Sequence, residues 1–240
     1  MTERYHNQRN LIDENKLANT KFLVIGAGGI GSFFILGLSK MGARDITVID
    51  YDFLEDHNFA NQMHPTSQLN KPKVESIAAV AKDYGDCTLK TIHGPWTIES
   101  NIDADIVVSA VDNMEIRKAL WNYYKDKNVF FVDGRMSVLF CSVFGIDTNN
   151  KEAVEFYEKS LFPQANAEPD PCGAKSIIFT VLAVSSLMLD QVKKYLNGEH
   201  RPTRVTQDMD NTRISTAYHM IQEYTVIDGT KADEVVSNLT

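Results

Sequence analysis

The chain has 240 residues, of which 43% are hydrophobic and 23% are charged, a composition that suits one globular domain with a sizeable core. A formal net charge of −8 argues against general nucleic-acid binding, and no apolar run approaches the roughly 18 residues of a membrane span. Because the N-terminal stretch is polar and the three scattered cysteines form no CxxC pair, we expect a cytoplasmic protein with reduced thiols, no disulfide framework and no cysteine zinc site.

Predicted strands and helices alternate through the first two thirds of the chain. The predicted elements are an amphipathic helix at 6–18, a strand at 21–25, a helix at 30–41, strands at 45–50 and 88–93 flanking a helix at 73–84, a strand at 105–110, a helix at 114–124 and a strand at 129–133. This alternation predicts an α/β fold, Rossmann-like and doubly wound around a mostly parallel sheet. The alternating segment 138–146 predicts an antiparallel extension of that sheet.

The last third has a different pattern. Residues 161–173 hold three prolines and predict a long crossover loop, which is followed by an apolar helix at 176–196. Short strands are expected at 204–206 and 214–217, and the polar tail at about 228–240 is expected to be disordered. We interpret residues 1–240 as a single domain with an N-terminal helical arm at residues 1–19.

A glycine-rich turn follows the first predicted strand, in the stretch FLVIGAGGIGSF. Such a turn lets the backbone approach a phosphate group at the N-terminal end of the next helix. Asp50 ends the second predicted strand, where an acidic residue contacts ribose hydroxyls in nucleotide-binding folds. These two features fit a nicotinamide-dependent oxidoreductase as well as an enzyme that cleaves ATP.

Three later stretches favour ATP: DYDFLEDHNFANQ after the second strand, KPKVES at the start of a helix, and SAVDNMEIR after a further strand. A lysine and an aspartate beside the phosphates suit an enzyme that must neutralise a triphosphate and hold magnesium, and a dehydrogenase has no need of them. Together with GxGGxG, these motifs resemble the ThiF/MoeB adenylyltransferases of the ubiquitin-activating-enzyme-like superfamily, and the resemblance covers about residues 1–200.

The resemblance implies a site for ATP and Mg²⁺, in which Asp50 binds the ribose and Asp112 binds the metal ion. The other residues that it places at the nucleotide are Gly26, Gly28, Gly29, Gly31, Asp52, Asn58, Lys73 and Asn113. Purely structural roles stay open for four of these residues. Asp50 and Asp112 at strand ends suit a helix N-cap, Lys73 suits a solvated helix start, and Asn58 suits a turn.

The resemblance also implies a homodimer, because family members extend an N-terminal arginine into the partner's ATP site. Here the start RYHNQRN has Asn7 at the family's second arginine position, so Arg9 is the best substitute and Arg4 the next. Two more departures from the family are Asn61, which stands for an arginine, and the absence of paired CxxC zinc motifs. Arg135, in DGRMS, is a candidate for restoring the lost positive charge near the substrate.

The implied reaction is adenylation of a carboxylate, which is already ionised at neutral pH and requires no general base. The expected substrate is the C-terminal glycine of a ubiquitin-like or sulfur-carrier protein, or a peptide. Cys172, at the end of the crossover loop and close to Lys175, is a candidate nucleophile for the acyl group, with loop packing as its alternative role. The rival functions are an oxidoreductase and a non-catalytic scaffold of the same fold.

Overall fold

In a computed structural model of the chain, the described residues are 3–163, 176–218 and, for the backbone alone, 221–227. They form one sheet of nine strands with six α-helices. The strands are β1 Lys21–Ile25, β2 Asp45–Asp50, β3 Lys90–His93, β4 Ile106–Ser109, β5 Phe130–Ser137, β6 Phe140–Asp147, β7 Arg204–Asp208, β8 Arg213–Tyr218 and β9 Ile221–Ile227. The helices are α1 Glu14–Asn19, α2 Gly29–Met41, α3 Lys73–Gly85, α4 Met114–Tyr124, α5 Lys151–Glu158 and α6 Ile178–Asn197.

The strand order is β3-β2-β1-β4-β5-β6-β7-β8-β9. The first five strands in this order pair in parallel, and every pairing from β5 to β9 is antiparallel. The predicted fold class is therefore confirmed: a doubly wound, Rossmann-like sheet carries an antiparallel extension. Because parallel strands need crossover helices, both faces of the parallel half are covered, and β1 is buried along most of its length.

Two hydrophobic clusters lie on the two faces of the sheet. Phe22 and Val24 of β1 point into the cluster shared with α2, α3 and α6, whereas Leu23 and Ile25 point into the cluster shared with α4 and α5. The long helix α6 lies along α2, where the Ser185 hydroxyl donates to the Ile30 carbonyl. This packing fixes the start of α2 and with it the glycine turn.

The prediction of one continuous N-terminal helix at 6–18 is wrong. The arm consists of a 3-10 helix at Glu3–Gln8 and the separate helix α1, because Asn10 has a positive φ and the side chain of Asp13 caps α1. Helix α5 and strand β9 were not predicted. The crossover loop lies outside the described residues from 164 onward, as does the tail at 228–240. Among the helices that the structure describes, none is long and apolar enough to cross a bilayer.

Candidate functional site

The carboxyl ends of β1, β2 and β4 meet at one edge of the sheet, since these strands are parallel neighbours. The edge brings together the glycine turn after β1, residues 50–52 after β2 and residues 110–113 after β4. In open parallel sheets, ligands bind outside the carboxyl edge at the point where the strand order reverses, which here lies between β1 and β4. The topology therefore gathers the site residues predicted from separate motifs.

The glycine turn is shaped by two glycines that no other residue replaces without strain. Gly26 has a φ of +99°, and a Cβ at this position would lie 2.5 Å from the Ala110 carbonyl oxygen. A Cβ at Gly31 would lie 1.9 Å from the Gly26 carbonyl oxygen, so Gly31 lets α2 pack directly on the turn. At Gly28, the N-cap of α2, the nearest atom would be 3.9 Å away. The turn is thus tight toward the protein and open at Gly28.

Asp50 joins the turn to the end of β2. Its Oδ2 accepts a hydrogen bond from the Ala27 backbone N–H at 2.7 Å, and its Oδ1 accepts one from the Asp52 N–H at 2.7 Å. Burial raises the pKa of Asp50, against the lowering effect of these two donors. Asp50 is therefore a fixed acceptor beside the turn, with lone pairs left for a further donor.

Lys73 begins α3 and reaches the same edge. Its Nζ lies 2.7 Å from Asp52 Oδ2, and its side chain is only 8% exposed while that of Asp52 is 44% exposed. Its backbone N–H donates to the Asp52 carbonyl oxygen at 3.0 Å. Lys73 is thus not a solvated helix-start lysine, unlike the exposed Lys71 two residues earlier. The ammonium keeps two N–H donors beyond its bond to Asp52.

Asn58, Asn61 and Gln62 lie in the loop between β2 and α3. Asn58 is buried and its Oδ1 accepts from the Glu55 N–H at 2.9 Å in a capping box, so its oxygen has the turn-stabilising role. Asn61 Nδ2 donates to Ser176 Oγ and ties this loop to the segment before α6. Gln62 Oε1 is buried and has no hydrogen-bond partner among the described residues.

Asp112 and Asn113 follow β4 and have different environments. Asn113 is the N-cap of α4, with its Oδ1 accepting from the N–H groups of Glu115 at 2.8 Å and Ile116 at 3.1 Å. The capping role that was open for Asp112 therefore belongs to Asn113, and Asp112 is exposed. The charge of Asp52, then burial, then the charge of Asp112 raise the pKa of the Tyr51 phenol, which shows that both carboxylates lie within electrostatic range of Tyr51.

His64 also lies at the site, although none of the sequence motifs singles it out. It is 7% exposed, and its ring nitrogens lie 2.9 Å from the Ala27 carbonyl oxygen and 3.0 Å from Ser76 Oγ. Burial lowers its pKa to about 4, so the ring is neutral at neutral pH. A histidine between the glycine turn and the lysine-bearing helix has no local sequence signal that marks it.

A sealed group of charges lies further along the edge, and we call Asp133, Arg117, Arg135 and Tyr157 the β5 cluster. Asp133 is fully buried and accepts from Arg117 Nε at 2.7 Å, Arg135 Nε at 2.6 Å and the Tyr157 hydroxyl at 2.9 Å. Burial alone would raise the pKa of Asp133, but the two guanidinium groups outweigh it and hold that pKa below its ordinary value.

This cluster corrects the expectation for Arg135. The terminal N–H groups of Arg135 donate to the backbone oxygen and the hydroxyl of Ser160, both at 3.0 Å. The Arg135 guanidinium therefore binds groups of the protein interior and does not face a substrate. Arg117 pairs with a carboxylate, and it also donates to the Val111 carbonyl oxygen at 2.5 Å, one residue before Asp112.

The N-terminal arm lies at the opposite end of α2 from the glycine turn. Tyr5 packs against Gly42, and Gln8 Nε2 donates to the Met41 carbonyl oxygen at 2.6 Å. Since α2 has 13 residues, this end is about 20 Å from the turn. Arg4 forms an exposed ion pair with Asp86, and Arg9 is exposed. Neither arginine reaches the glycine turn of its own chain.

The cysteines separate into two groups. Cys87 and Cys141 are buried, and burial raises the pKa of both thiols, that of Cys141 to about 11. Neither has the character of a nucleophile. Cys172 and Lys175 lie outside the described residues.

The fold and the carboxyl edge together define a Rossmann-like α/β domain in which Lys73 and Asp52 form an ion pair at the edge that carries the glycine turn. A model of the ThiF family matches residues 5–226, and the chain belongs to that family.

Curated relatives have named activities. The chain is 31% identical over 113 residues to the molybdopterin-synthase adenylyltransferase of Haemophilus influenzae, covering 45% of this chain and 46% of that one. It is 28% identical over 128 residues to the SAMP-activating enzyme E1 of Haloferax volcanii, covering 50% and 47%. The matches thus span less than half the length of these relatives.

Solved structures share the fold at lower identity. The chain superimposes on Escherichia coli MccB with ATP at a TM-score of 0.74 and 18% identity, covering 91% of this chain and 72% of that one. It superimposes on PaaA at a TM-score of 0.72 and 20% identity, covering 88% and 80%.

Proposed function

We propose that this protein adenylates a carboxylate with ATP and Mg²⁺. The observation that carries the proposal is the Lys73–Asp52 pair beside the open glycine turn, with the exposed carboxylate of Asp112 at the neighbouring strand end. A redox dinucleotide needs the turn and Asp50 alone. A triphosphate, with its larger negative charge, needs the cation and the metal-binding carboxylate as well.

The residues fit a magnesium ion that arrives with the nucleotide. Among the described residues, no group of three or more metal-binding side chains could form a closed protein cage. Mg²⁺ in nucleotide sites takes one or two carboxylates together with phosphate oxygens and water, so the uncapped carboxylate of Asp112 suffices. When bound, the ion would neutralise phosphate charge. Asn58 Nδ2, which bonds to no described residue, and the free donors of Lys73 would hold phosphate oxygens.

The chain's own part in the reaction is positioning and charge neutralisation. A carboxylate oxygen of the substrate attacks the α-phosphorus, the bond from that phosphorus to the bridging oxygen breaks, and pyrophosphate leaves with the electron pair. The product is an acyl-adenylate. The carboxylate is ionised at neutral pH, so no proton has to be removed and no general base is required.

For the substrate we propose a protein or peptide carboxyl terminus. The names of the relatives support this class: one is a SAMP-activating enzyme E1, and MccB has been solved together with MccA. We retain a ubiquitin-like or sulfur-carrier protein and a short peptide as the two forms of that class. We also propose a cytoplasmic location, in keeping with three scattered cysteines that form no CxxC pair.

We propose a homodimer in which Arg9 completes the partner's site. The support is geometric: the arm is anchored about 20 Å from its own glycine turn, and Arg9 is exposed there while Arg4 is paired with Asp86. Mixing Arg9→Ala with Lys73→Ala should restore part of the activity that each variant lacks, because one mixed site is then intact. An active monomer by light scattering would contradict the shared site.

Transfer of the acyl group to Cys172 remains a proposal from the sequence, in which Cys172 comes three residues before Lys175 and shortly before the predicted helix at 176–196. Cys172→Ala should leave pyrophosphate exchange unchanged and remove a reducible adduct with the substrate protein on a non-reducing gel. An adduct that persists in Cys172→Ala would overturn the nucleophile.

Calorimetry on the purified chain tests the nucleotide. We expect ATP with Mg²⁺ to bind and NADH not to bind. Asp112→Asn should lower affinity for ATP with Mg²⁺ about tenfold or more and leave ATP affinity in EDTA unchanged, because only the metal contact is lost. Tight NADH binding without ATP binding would establish the oxidoreductase. ATP binding without pyrophosphate–ATP exchange, over a panel of carrier proteins and peptides, would favour the scaffold.

A further inference from the structure

His64 occupies a position that the proposed chemistry does not use. It lies between two parts of the phosphate side of the site: the Ala27 carbonyl of the glycine turn, 37 residues earlier, and Ser76 on the first turns of α3, 12 residues later. The side chain is 7% exposed, so both contacts are shielded from water. A buried ring that joins these two elements can transmit the position of one to the other.

The hydrogen bonds define one tautomer. The Ala27 carbonyl oxygen only accepts, so Nε2 must carry the proton, and Nδ1 then accepts from the Ser76 hydroxyl. A protonated ring would add a positive charge near Lys73, and burial already disfavours that form by lowering the pKa of His64 to about 4. The neutral Nε2–H form is therefore the form at neutral pH.

The Ala27 residue is held on both sides. Its N–H donates to Asp50 Oδ2 at 2.7 Å, and its carbonyl oxygen accepts from His64 at 2.9 Å. The peptide between Ala27 and Gly28 is trans, so its N–H points opposite to its carbonyl oxygen. Fixing the carbonyl toward His64 therefore points the Gly28 N–H away from His64. No described residue accepts a hydrogen bond from that N–H.

We propose that His64 is a positioning residue for the phosphate-binding turn: it holds the Ala27 carbonyl and thereby keeps the Gly28 N–H free and aimed for a phosphate oxygen. This inference rests on the proposed nucleotide function and assigns a role within the same site. Without the histidine, the Ala27–Gly28 peptide would lose its inner hydrogen bond and the turn would no longer be fixed in the phosphate-binding conformation.

Comparing the binding of ATP and adenosine distinguishes a positioning role of His64 from a general effect on stability. ATP carries the phosphates and adenosine does not, so a mispositioned turn weakens ATP binding selectively. We expect His64→Phe, which retains a ring and removes the donor, to bind ATP about tenfold more weakly and adenosine unchanged, in the range of one lost buried hydrogen bond. His64→Gln keeps an N–H donor at the same reach and should bind ATP within about threefold of the unmodified chain.

The control is Val80→Ala, a core truncation on α3 away from the turn, which should lower stability and leave ATP affinity unchanged. Equal losses for ATP and adenosine in His64→Phe, or no loss for ATP, would overturn the positioning role while the nucleotide function stands. An unmodified chain that binds no ATP would overturn both.

A second measurement does not depend on how the variants fold. Nitrogen-15 spectra of the unmodified chain at pH 7 should show His64 as the neutral Nε2–H tautomer. A Nδ1–H tautomer or an imidazolium at that pH would overturn the proposal, since neither form both donates to Ala27 and accepts from Ser76.

Discussion

The carboxyl edge of the sheet holds charge in two contrasting ways. At the glycine turn, the ion pair of Lys73 and Asp52 is only partly buried: the lysine side chain is 8% exposed and the aspartate side chain is 44% exposed. In the β5 cluster, Asp133 is fully buried, and the side chains of Arg117 and Arg135 are 6% and 16% exposed. A partly exposed ion pair can form new contacts with a ligand, whereas the buried β5 cluster can only stabilise the fold.

The contrast explains why similar residues receive different roles. Asp133 accepts three hydrogen bonds from side chains on three elements and is fully buried, so its carboxylate is not accessible to a ligand. Lys73 gives one hydrogen bond to Asp52 and keeps two donors at the open turn. Whether a charged side chain can bind a ligand therefore depends more on how exposed its ion-pair partner is than on the charge itself.

The largest effect is expected from breaking the β5 cluster. Asp133→Ala leaves two largely buried guanidinium groups without their counter-charge, which should lower the free energy of unfolding by about 3–5 kcal/mol. Urea titration measures it. Asp112→Ala is the matched control, because this carboxylate at the same edge is exposed and should cost under about 0.5 kcal/mol. A loss below about 1 kcal/mol for Asp133→Ala would show that the cluster is not structural.

Removing the ammonium group of Lys73 should weaken ligand binding more than it lowers the stability of the fold. We expect Lys73→Ala to weaken ATP binding about 100-fold, equivalent to roughly 2.7 kcal/mol, because a triphosphate loses its nearest fixed cation. Calorimetry gives the affinity. Lys71→Ala, an exposed lysine two residues away, should stay within about threefold. Equal effects of the two variants would place Lys73 outside the nucleotide site.

The pH dependence of stability tests how well the His64 ring is shielded from water. Its pKa is lowered from 6.5 to about 4, so its contribution to stability is present above pH 6.5 and is lost as the pH falls toward 4, where the unfolded chain takes up the proton first. From pH 7 to pH 5 the unmodified chain should lose about 2 kcal/mol more than His64→Gln. Parallel losses in the two chains, measured by urea titration at both pH values, would indicate that the ring is accessible.

The smallest effect is expected at the surface pair of the N-terminal arm. Arg4 and Asp86 are 3.0 Å apart with side chains 52% and 57% exposed, so water screens their attraction. Arg4→Ala should leave the midpoint of thermal unfolding unchanged in a calorimetric scan. A clear drop in that midpoint would mean that the arm is held by this pair more than by Tyr5 and Gln8.

Much of the parallel half was predictable because its signals are local. The helix predicted at 114–124 is α4, Met114–Tyr124, and the strand predicted at 45–50 is β2, Asp45–Asp50. Apolar periodicity and a glycine turn act within a few residues, and a βαβ order then leaves few possible topologies. The family resemblance, carried by the spaced motifs, is confirmed by the ThiF match.

Elements with weak local signals were missed. The arm divides at Asn10, where a left-handed backbone conformation interrupts an otherwise helical pattern. Helix α5 is short, and its Tyr157 is buried against β5 residues far away in the sequence. Such elements owe their stability to tertiary packing, which a window of neighbouring residues does not contain.

By itself the sequence determined a doubly wound sheet and the order of the glycine turn, Asp50, Lys73 and Asp112 along the chain, since turn chemistry and periodicity act locally. Only the tertiary structure decided what each charge faces. It placed Asp52 against Lys73 across 21 residues, sealed Arg135 onto Asp133 and Ser160, gave the capping role to Asn113, and set His64 behind Ala27. Burial and partner distance decide whether a polar side chain is structural or free for a ligand, and both depend on contacts made only after the strands are aligned.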